Sequence, residues 1–205
     1  MGEKMINLFG IPVYHNNIKI DKKEKDFLIN SKYERLEIDN GDVSRDKYIL
    51  NDKKVINLKK DILKCLHNYV YDLLKVKKTV KFELLNSWLL KHNKNDFSQD
   101  HHHSNSFISG VVYLKTPEKS GDLVLKKTYD NIFAQTIKIE FEEYNSMNCD
   151  FWYIKPKEGD IVLFPSHLRH GSTKNNSEES RLICAFNFYP KGEFGNVENF
   201  DFLKI

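Results

Sequence analysis

The stretch after residue 78 limits most strongly what this chain can fold into. It contains short apolar or alternating runs rich in Val, Ile, Phe, Tyr and Trp: VKFELLNSWLLKH, SFISGVVYLKT, DLVLKK, FWYIKP, DIVLFP and RLICAFNFYP. Turn residues separate these runs, and no helix-length pattern lies between them. We therefore predict antiparallel strands, which must close or pair into two sheets to protect their edges. A jelly roll of about eight strands meets that requirement.

The residues before this stretch have a different pattern. Asp21 and Glu24 have the spacing of a capping box, which predicts a short helix there. A wide apolar stripe predicts a long helix over 57–74. Residues 7–20 are interpreted as an interrupted strand, and the polar residues 34–56 as a loop.

Together these patterns predict a mainly β chain with N-terminal helices, an α+β arrangement in one domain over 1–205. Within it we expect an N-terminal strand and helical layer over 1–78, a jelly-roll core over 79–190 and a C-terminal extension over 191–205.

Composition excludes several classes of protein. The chain has 32 basic and 29 acidic residues, and a net charge of +3 is too small to indicate a nucleic-acid partner. Its three cysteines are far apart and odd in number, which argues against a disulfide framework and favours a reducing compartment. No window reaches the length of a membrane span. We expect a soluble, cytoplasmic protein, and the sequence does not indicate its oligomeric state.

Three consecutive histidines, residues 101–103, precede one of the predicted strands. If this stretch is extended, alternate side chains share a face. Either His101 with His103 or Asp100 with His102 then presents two metal-binding groups on one side. A polar loop tip is the alternative interpretation.

A third ligand has to come from elsewhere in the chain, and His167 and His170 follow the run that ends in LFP. Two ligands on one strand and a histidine from a distant strand make a facial triad with open coordination positions. Imidazole suits iron, zinc, copper or nickel, so the ligand type does not choose the metal.

Arg181 begins the last apolar run. Burying an arginine is costly unless it has an anionic partner, and its planar fork matches a carboxylate. The position favours an anion-binding role over the alternative, an edge-strand arginine in solvent.

These residues resemble the Fe(II)/2-oxoglutarate-dependent oxygenases, and in particular an uncharacterised subgroup found in bacteria and their phages. The blocks that carry the resemblance are HHHSNSFISGVVYL (101–114) and GDIVLFPSHLRHGS (159–172), with NLFGIPVY near the N-terminus. The resemblance implies a double-stranded β-helix, the cupin-like form of the jelly roll.

The resemblance also implies roles for single residues. His101, His103 and His170 would hold Fe(II), and Arg181 would pair with the distal carboxylate of 2-oxoglutarate. Further contacts with this co-substrate would come from Asn86, Trp88 and Asn187. No catalytic residue beyond the metal ligands is implied.

One position departs from the family pattern. The commonest pattern has a carboxylate where this chain has His103. The pair Asp100 and His102 would restore a carboxylate, but it breaks the alignment of the blocks, so His101 and His103 are preferred.

The chemistry that the resemblance implies uses 2-oxoglutarate and O₂, releases succinate and oxidises a substrate that the sequence does not identify. Rim loops at 34–56, 128–150 and 190–205 would shape the substrate site. One alternative is a three-histidine cupin-type dioxygenase that does not use 2-oxoglutarate. Another is a non-catalytic β-sandwich binding module.

Overall fold

A computed structural model describes residues 10–36, 40–127 and 139–205. It has two helices, α1 (Lys22–Ile29) and α2 (Ile56–His67), and α2 continues as a π-helical turn over Asn68–Leu73. Short 3₁₀ segments lie at Ile49–Asn51, Lys53–Val55 and Val197–Asn199. The strands are β1 (Tyr14–Asn17), β2 (Tyr33–Leu36), β3 (Gly41–Ser44), β4 (Lys81–His92), β5 (Ile108–Lys115), β6 (Leu123–Lys126), β7 (Phe151–Ile154), β8 (Asp160–Pro165), β9 (Arg169–Ser172), β10 (Arg181–Lys191), β11 (Glu193–Phe194) and β12 (Leu203–Lys204).

The strands form two facing sheets and a small C-terminal hairpin. The large antiparallel sheet has the order β1-β8-β5-β10-β4-β3-β2, and the small one has the order β7-β6-β9. Residues 98–101 extend the small sheet, because His101 and His170 exchange backbone hydrogen bonds of 2.8 and 2.9 Å. With this segment as a fourth strand opposite β4, β5, β8 and β10, the eight strands make the predicted jelly roll.

The helices and the large sheet enclose the main hydrophobic core. The apolar stripe of α2 supplies Leu58, Ile62 and Leu66, which pack against Val112 and Phe186 of the sheet. The stripe predicted the helix over 57–74, and the helix is confirmed. A second, smaller core fills the space between the two sheets.

The N-terminal region differs from its prediction at two places. Residues 34–56 were expected to be loop, which is wrong, because β3 and most of β2 lie there at one edge of the large sheet. These strands are four residues long and largely polar, so they leave no periodic signal. The predicted first strand is confirmed only as β1, at the opposite edge, and residues 7–9 lie outside the described residues.

The capping box is half right. Asp21 caps α1 by accepting from the amides of Lys23 and Glu24. The carboxylate of Glu24 instead accepts from the amides of Asn57 and Leu58, at the first turn of α2. Glu24 therefore joins the two helices, which sequence spacing alone does not reveal.

Two remaining expectations concern the cysteines and the loops. All three cysteines are free thiols, as their spacing predicted. Of the expected rim loops, residues 128–138 lie outside the described part of the chain.

No helix in the described ranges is long and apolar enough to cross a membrane.

Candidate metal and co-substrate site

Three histidines from two remote segments meet in the space between the sheets. One nitrogen from each of His101, His103 and His170 lies within 4.8 Å of the others. The Nε2 atoms of His103 and His170 are 3.2 Å apart. Such a separation between two ring nitrogens suits donors that share one ion, since imidazole nitrogens bind a metal at about 2.0–2.1 Å.

Backbone carbonyls fix the orientation of two of these rings. Nδ1 of His101 lies 2.7 Å from the carbonyl oxygen of Gln99, and Nδ1 of His170 lies 2.8 Å from that of Leu168. Each Nδ1 therefore carries the proton and donates it, which leaves the Nε2 lone pair free as a ligand.

Burial keeps the inner two rings neutral. Burial first, and then the neighbouring histidines, lower the pKa of His103 to about 4 and that of His170 to about 3. At neutral pH both rings therefore present lone pairs without having to lose a proton first.

The alternative ligands lie away from this cluster. His102 and His167 are exposed. The carboxylate of Asp100 lies on the outer side of the sheet, where it accepts from Nε of Arg169 at 3.0 Å and lies 3.5 Å from Nζ of Lys126. Asp100 and His102 therefore do not form a ligand pair in this arrangement.

Arg181 lies in the same pocket, and its side chain is almost completely buried, with 1% of its surface exposed. Its Nη atoms donate to the carbonyl of Gly121 at 3.1 Å, to Nδ1 of His92 at 2.7 Å and to Oγ of Ser172 at 2.8 Å. Its Nε has no hydrogen-bond partner among the described residues. Burial lowers the pKa of this arginine. Because every partner is neutral, the pocket keeps a positive charge and an unused donor.

His92 is the partner that sequence reasoning missed. It is fully buried, and burial lowers its pKa to about 3, with the charge of Arg181 adding to the effect. Since Nδ1 accepts from Arg181, the proton of the neutral ring is on Nε2, which faces Oγ of Ser98 at 3.3 Å. A lone histidine at the end of an apolar strand carries no sequence signal for this role.

Tyr113 is a second residue that the sequence did not single out. It is 3% exposed and lines the pocket beside Arg181. Burial raises the pKa of its hydroxyl to about 12, so the group stays protonated and can donate a hydrogen bond. The signal in the sequence was the inward-facing position of Tyr113 in the strand SGVVYL. Alternation alone does not distinguish an inward-facing residue that lines a pocket from one that packs in the core.

The three residues predicted to contact the co-substrate occupy different places. Trp88 lines the pocket and stacks on His103, with ring centroids 5.6 Å apart. Asn86 and Asn187 do not line it. They are joined by a 2.9 Å hydrogen bond between their side chains, and Asn187 also accepts from Ser109 at 2.7 Å. Asn187 lies six positions further along β10 than Arg181, a span of about 20 Å.

The fold and this pocket define a jelly-roll protein with a candidate three-histidine metal centre beside a buried arginine. Residues 86–187, about half of the chain, match the family model described as "Putative 2OG-Fe(II) oxygenase". The chain belongs to this family, whose cofactors are Fe(II) and 2-oxoglutarate. No curated protein is similar enough in sequence to count as a relative.

Solved structures share the fold at low sequence identity. A prolyl-4-hydroxylase from Pseudomonas putida is 12% identical with a TM-score of 0.58, and the match covers 89% of this chain and 94% of that one. The viral collagen prolyl hydroxylase of Paramecium Bursaria Chlorella virus-1, solved with 2-oxoglutarate, is 15% identical with a TM-score of 0.52, over 85% and 95% of the two chains. HygX of Streptomyces hygroscopicus, solved with nickel, 2-oxoglutarate and hygromycin B, is 14% identical with a TM-score of 0.57, over 87% and 83%.

Proposed function

We propose that this protein is an oxygenase in which His101, His103 and His170 hold Fe(II) and Arg181 binds the distal carboxylate of 2-oxoglutarate. The observation that carries the proposal is the meeting of three imidazole nitrogens and an unpartnered guanidinium Nε in one pocket. When bound, iron and 2-oxoglutarate supply the oxidation of a substrate C–H bond by O₂, with release of succinate and CO₂.

The donor set fits a divalent ion of intermediate softness. Imidazole nitrogen is a good ligand for Fe(II), and the rings are held before any ion arrives. Three neutral ligands leave the whole charge of the ion uncompensated, whereas a carboxylate in place of His103 would reduce it by one. We therefore expect weaker Fe(II) binding than a site with a carboxylate would give.

The residues around the ligands position the co-substrate and exclude water. Arg181 binds the distal carboxylate of 2-oxoglutarate through its positive charge and through its Nε donor, which has no partner among the described residues. Trp88 and Phe164 pack on His103 and His170 and keep the region beside the ligands apolar. Contacts of Asn86 and Asn187 with 2-oxoglutarate stay a prediction. Because both residues lie far from Arg181, they could approach only the end of 2-oxoglutarate that chelates the metal.

A second candidate is a three-histidine dioxygenase that does not use 2-oxoglutarate. The histidine at position 103, where a carboxylate is the commoner ligand, favours it. Succinate release separates the two candidates, because only the first consumes 2-oxoglutarate.

The proposal is tested by melting temperature, measured without O₂ in the presence of Ni²⁺ and then of 2-oxoglutarate. At about 100 times the Kd, each bound ligand should raise the melting temperature of the wild type by roughly 5–10 °C. Arg181→Met should respond to Ni²⁺ but not to 2-oxoglutarate, and His170→Ala should respond to neither.

The matched control is His102→Ala, which changes an exposed histidine between two ligands and should keep both responses. If Arg181→Met responded to 2-oxoglutarate like the wild type, the assignment of Arg181 would be wrong. With Fe(II) and air, succinate should form in the wild type and not in His170→Ala.

A further inference from the structure

One row of residues crosses the small sheet at the level of the histidine cluster. In its register, His101 lies opposite His170, His170 opposite Leu125, and Leu125 opposite Trp152. Residues directly opposite each other in adjacent strands project from the same face. Trp152 therefore lies on the face of the sheet that carries the two histidines.

Two neighbours of Trp152 on β7 support this assignment independently. Ile154, two residues further along the strand, packs into the core between the sheets. Phe151, one residue before, lies on the outer face, where the ammonium of Lys126 is 5.6 Å from its ring centre. Alternation along a strand then requires Trp152 to face inward.

Trp152 is inward-facing but not covered. Its side chain is 47% exposed, although Leu125 and His170 beside it in the row are buried. Two strand spacings separate the backbones of β7 and β9, which is about 10 Å. Leu125 lies between them in the row, so a ring-sized group would have to lie over the Leu125 side chain, with the indole on one side and the histidines on the other.

The charged residues near this level of the small sheet lie on its other face. On that outer face, Asp100 forms ion pairs with Lys126 and Arg169. The inner face at this level carries the imidazoles of His101 and His170 and the side chain of Leu125, and Phe164 packs on His170 from β8 of the large sheet. Among the described residues, the small sheet therefore presents no charge toward that space.

We propose that Trp152 is the wall of the substrate site and stacks on an uncharged ring or hydrocarbon group that carries the oxidised carbon. This inference rests on the proposed function, because it places the substrate beside the three-histidine site. Stacking on indole suits a flat or cyclic neutral group, and a charged group would find no partner on this face.

The test uses the holoprotein with Co²⁺ and 2-oxoglutarate, without O₂, and small neutral probes. The probes are N-acetyl-L-phenylalaninamide and N-acetyl-L-prolinamide, with N-acetyl-L-lysinamide as the charged comparison. Paramagnetic broadening of the probe's proton NMR signals reports binding close to the metal. We expect both neutral rings to be broadened and the lysine probe to be unaffected.

Three variants assign the effect to Trp152. The affinity of the neutral probes should fall roughly tenfold in Trp152→Ala and recover in Trp152→Phe, as the loss and return of one aromatic surface predict. Tyr153→Ala is the matched control, because it removes an exposed aromatic from the opposite face of the same strand, and it should leave binding unchanged. Equal broadening in Trp152→Ala and the wild type, or none in the wild type, would overturn the inference.

Failure of the proposed function gives a different result. Co²⁺ bound to the histidines should show visible ligand-field absorption that disappears in His170→Ala. If that absorption were absent from the wild type, the metal site itself would be wrong and this inference would fail with it. The absorption could instead be present while the probes are broadened equally in Trp152→Ala and the wild type, or are not broadened in the wild type. In that case only the role of Trp152 would be wrong.

Discussion

At the scale of single residues, the charge of Arg181 is preserved because its closest partner is neutral. A carboxylate at position 92 would satisfy the guanidinium and cancel the charge that a dicarboxylate needs. His92 accepts the hydrogen bond from Arg181. A proton on Nδ1 of His92 would place two donors against each other, so the ring stays neutral and adds no charge of either sign. The residue therefore orients Arg181 without competing with the co-substrate.

His92→Glu should consequently weaken 2-oxoglutarate binding by at least about tenfold, since a buried charge pair competes with the ligand for the same guanidinium. His92→Gln keeps an acceptor without a charge and should bind 2-oxoglutarate nearly as the wild type does. Isothermal titration of the Ni²⁺-loaded proteins measures both. Equal affinity in the Glu and Gln variants would show that neutrality at position 92 does not matter.

The sequence predicted some of these residues and could not predict others. Alternation along an extended segment marked two possible pairs, His101 with His103 and Asp100 with His102, before the fold was described, and the family resemblance preferred the first. His92 and Tyr113 became visible only when β4, β5 and β10 lay side by side. Their roles depend on pairing across strands, and pairing is not encoded at one position.

At the scale of elements, the pairing of β9 with residues 98–101 brings the histidines together. Gly171 lies in β9 next to His170, facing the neighbouring backbone. A Cβ built there would lie 2.8 Å from the carbonyl oxygen of Ser98 and 3.0 Å from that of Gln99. The absence of a side chain at this position allows the close approach.

Gly171→Ala should therefore push the segment that carries His101 away from β9. We expect a loss of about 1–3 kcal/mol in the free energy of unfolding and a weaker response to Ni²⁺. Urea denaturation and a Ni²⁺ titration measure the two effects. His102→Ala, on the same segment but exposed, should show neither, and wild-type Ni²⁺ affinity in Gly171→Ala would contradict the argument.

Elements were predictable in proportion to their length and periodicity. The long stripe of α2 and the apolar runs of β5, β8 and β10 carry a period that sequence alone shows. β2, β3 and residues 98–101 are short and polar, and they are strands because a sheet edge supplies their hydrogen bonds. Such segments depend on tertiary context, which local propensity does not report.

At the scale of the whole molecule, the jelly roll places polar groups in an interior that is otherwise apolar. Arg181, His92 and Tyr113 lie toward one end of the space between the sheets, and Asn86 and Asn187 lie toward the other. The three-histidine cluster lies between these groups, beside Trp88. This order follows from inward-facing positions along β4, β5 and β10, so one sheet sets both the arginine and the surroundings of the metal ligands.

The same burial should make the metal-free protein sensitive to mild acid. His92, His103 and His170 have folded-state pKa values of about 3, 4 and 3, all lowered first by burial. In the unfolded chain they take up protons near pH 6.5. The unfolded state therefore binds more protons below that pH, and the free energy of unfolding should fall on acidification by up to roughly 1.4 kcal/mol per pH unit for each histidine.

Urea denaturation of the metal-free protein between pH 7.5 and 5.5 measures this fall, in a range where carboxylates contribute little. His92→Gln removes one of the three groups and should give a shallower dependence, whereas exposed His102→Gln should match the wild type. A fall of the same steepness in His92→Gln and the wild type would mean that His92 is already protonated in the fold. Its hydrogen bond from Arg181 would then be lost, and with it the reason why the guanidinium keeps its position.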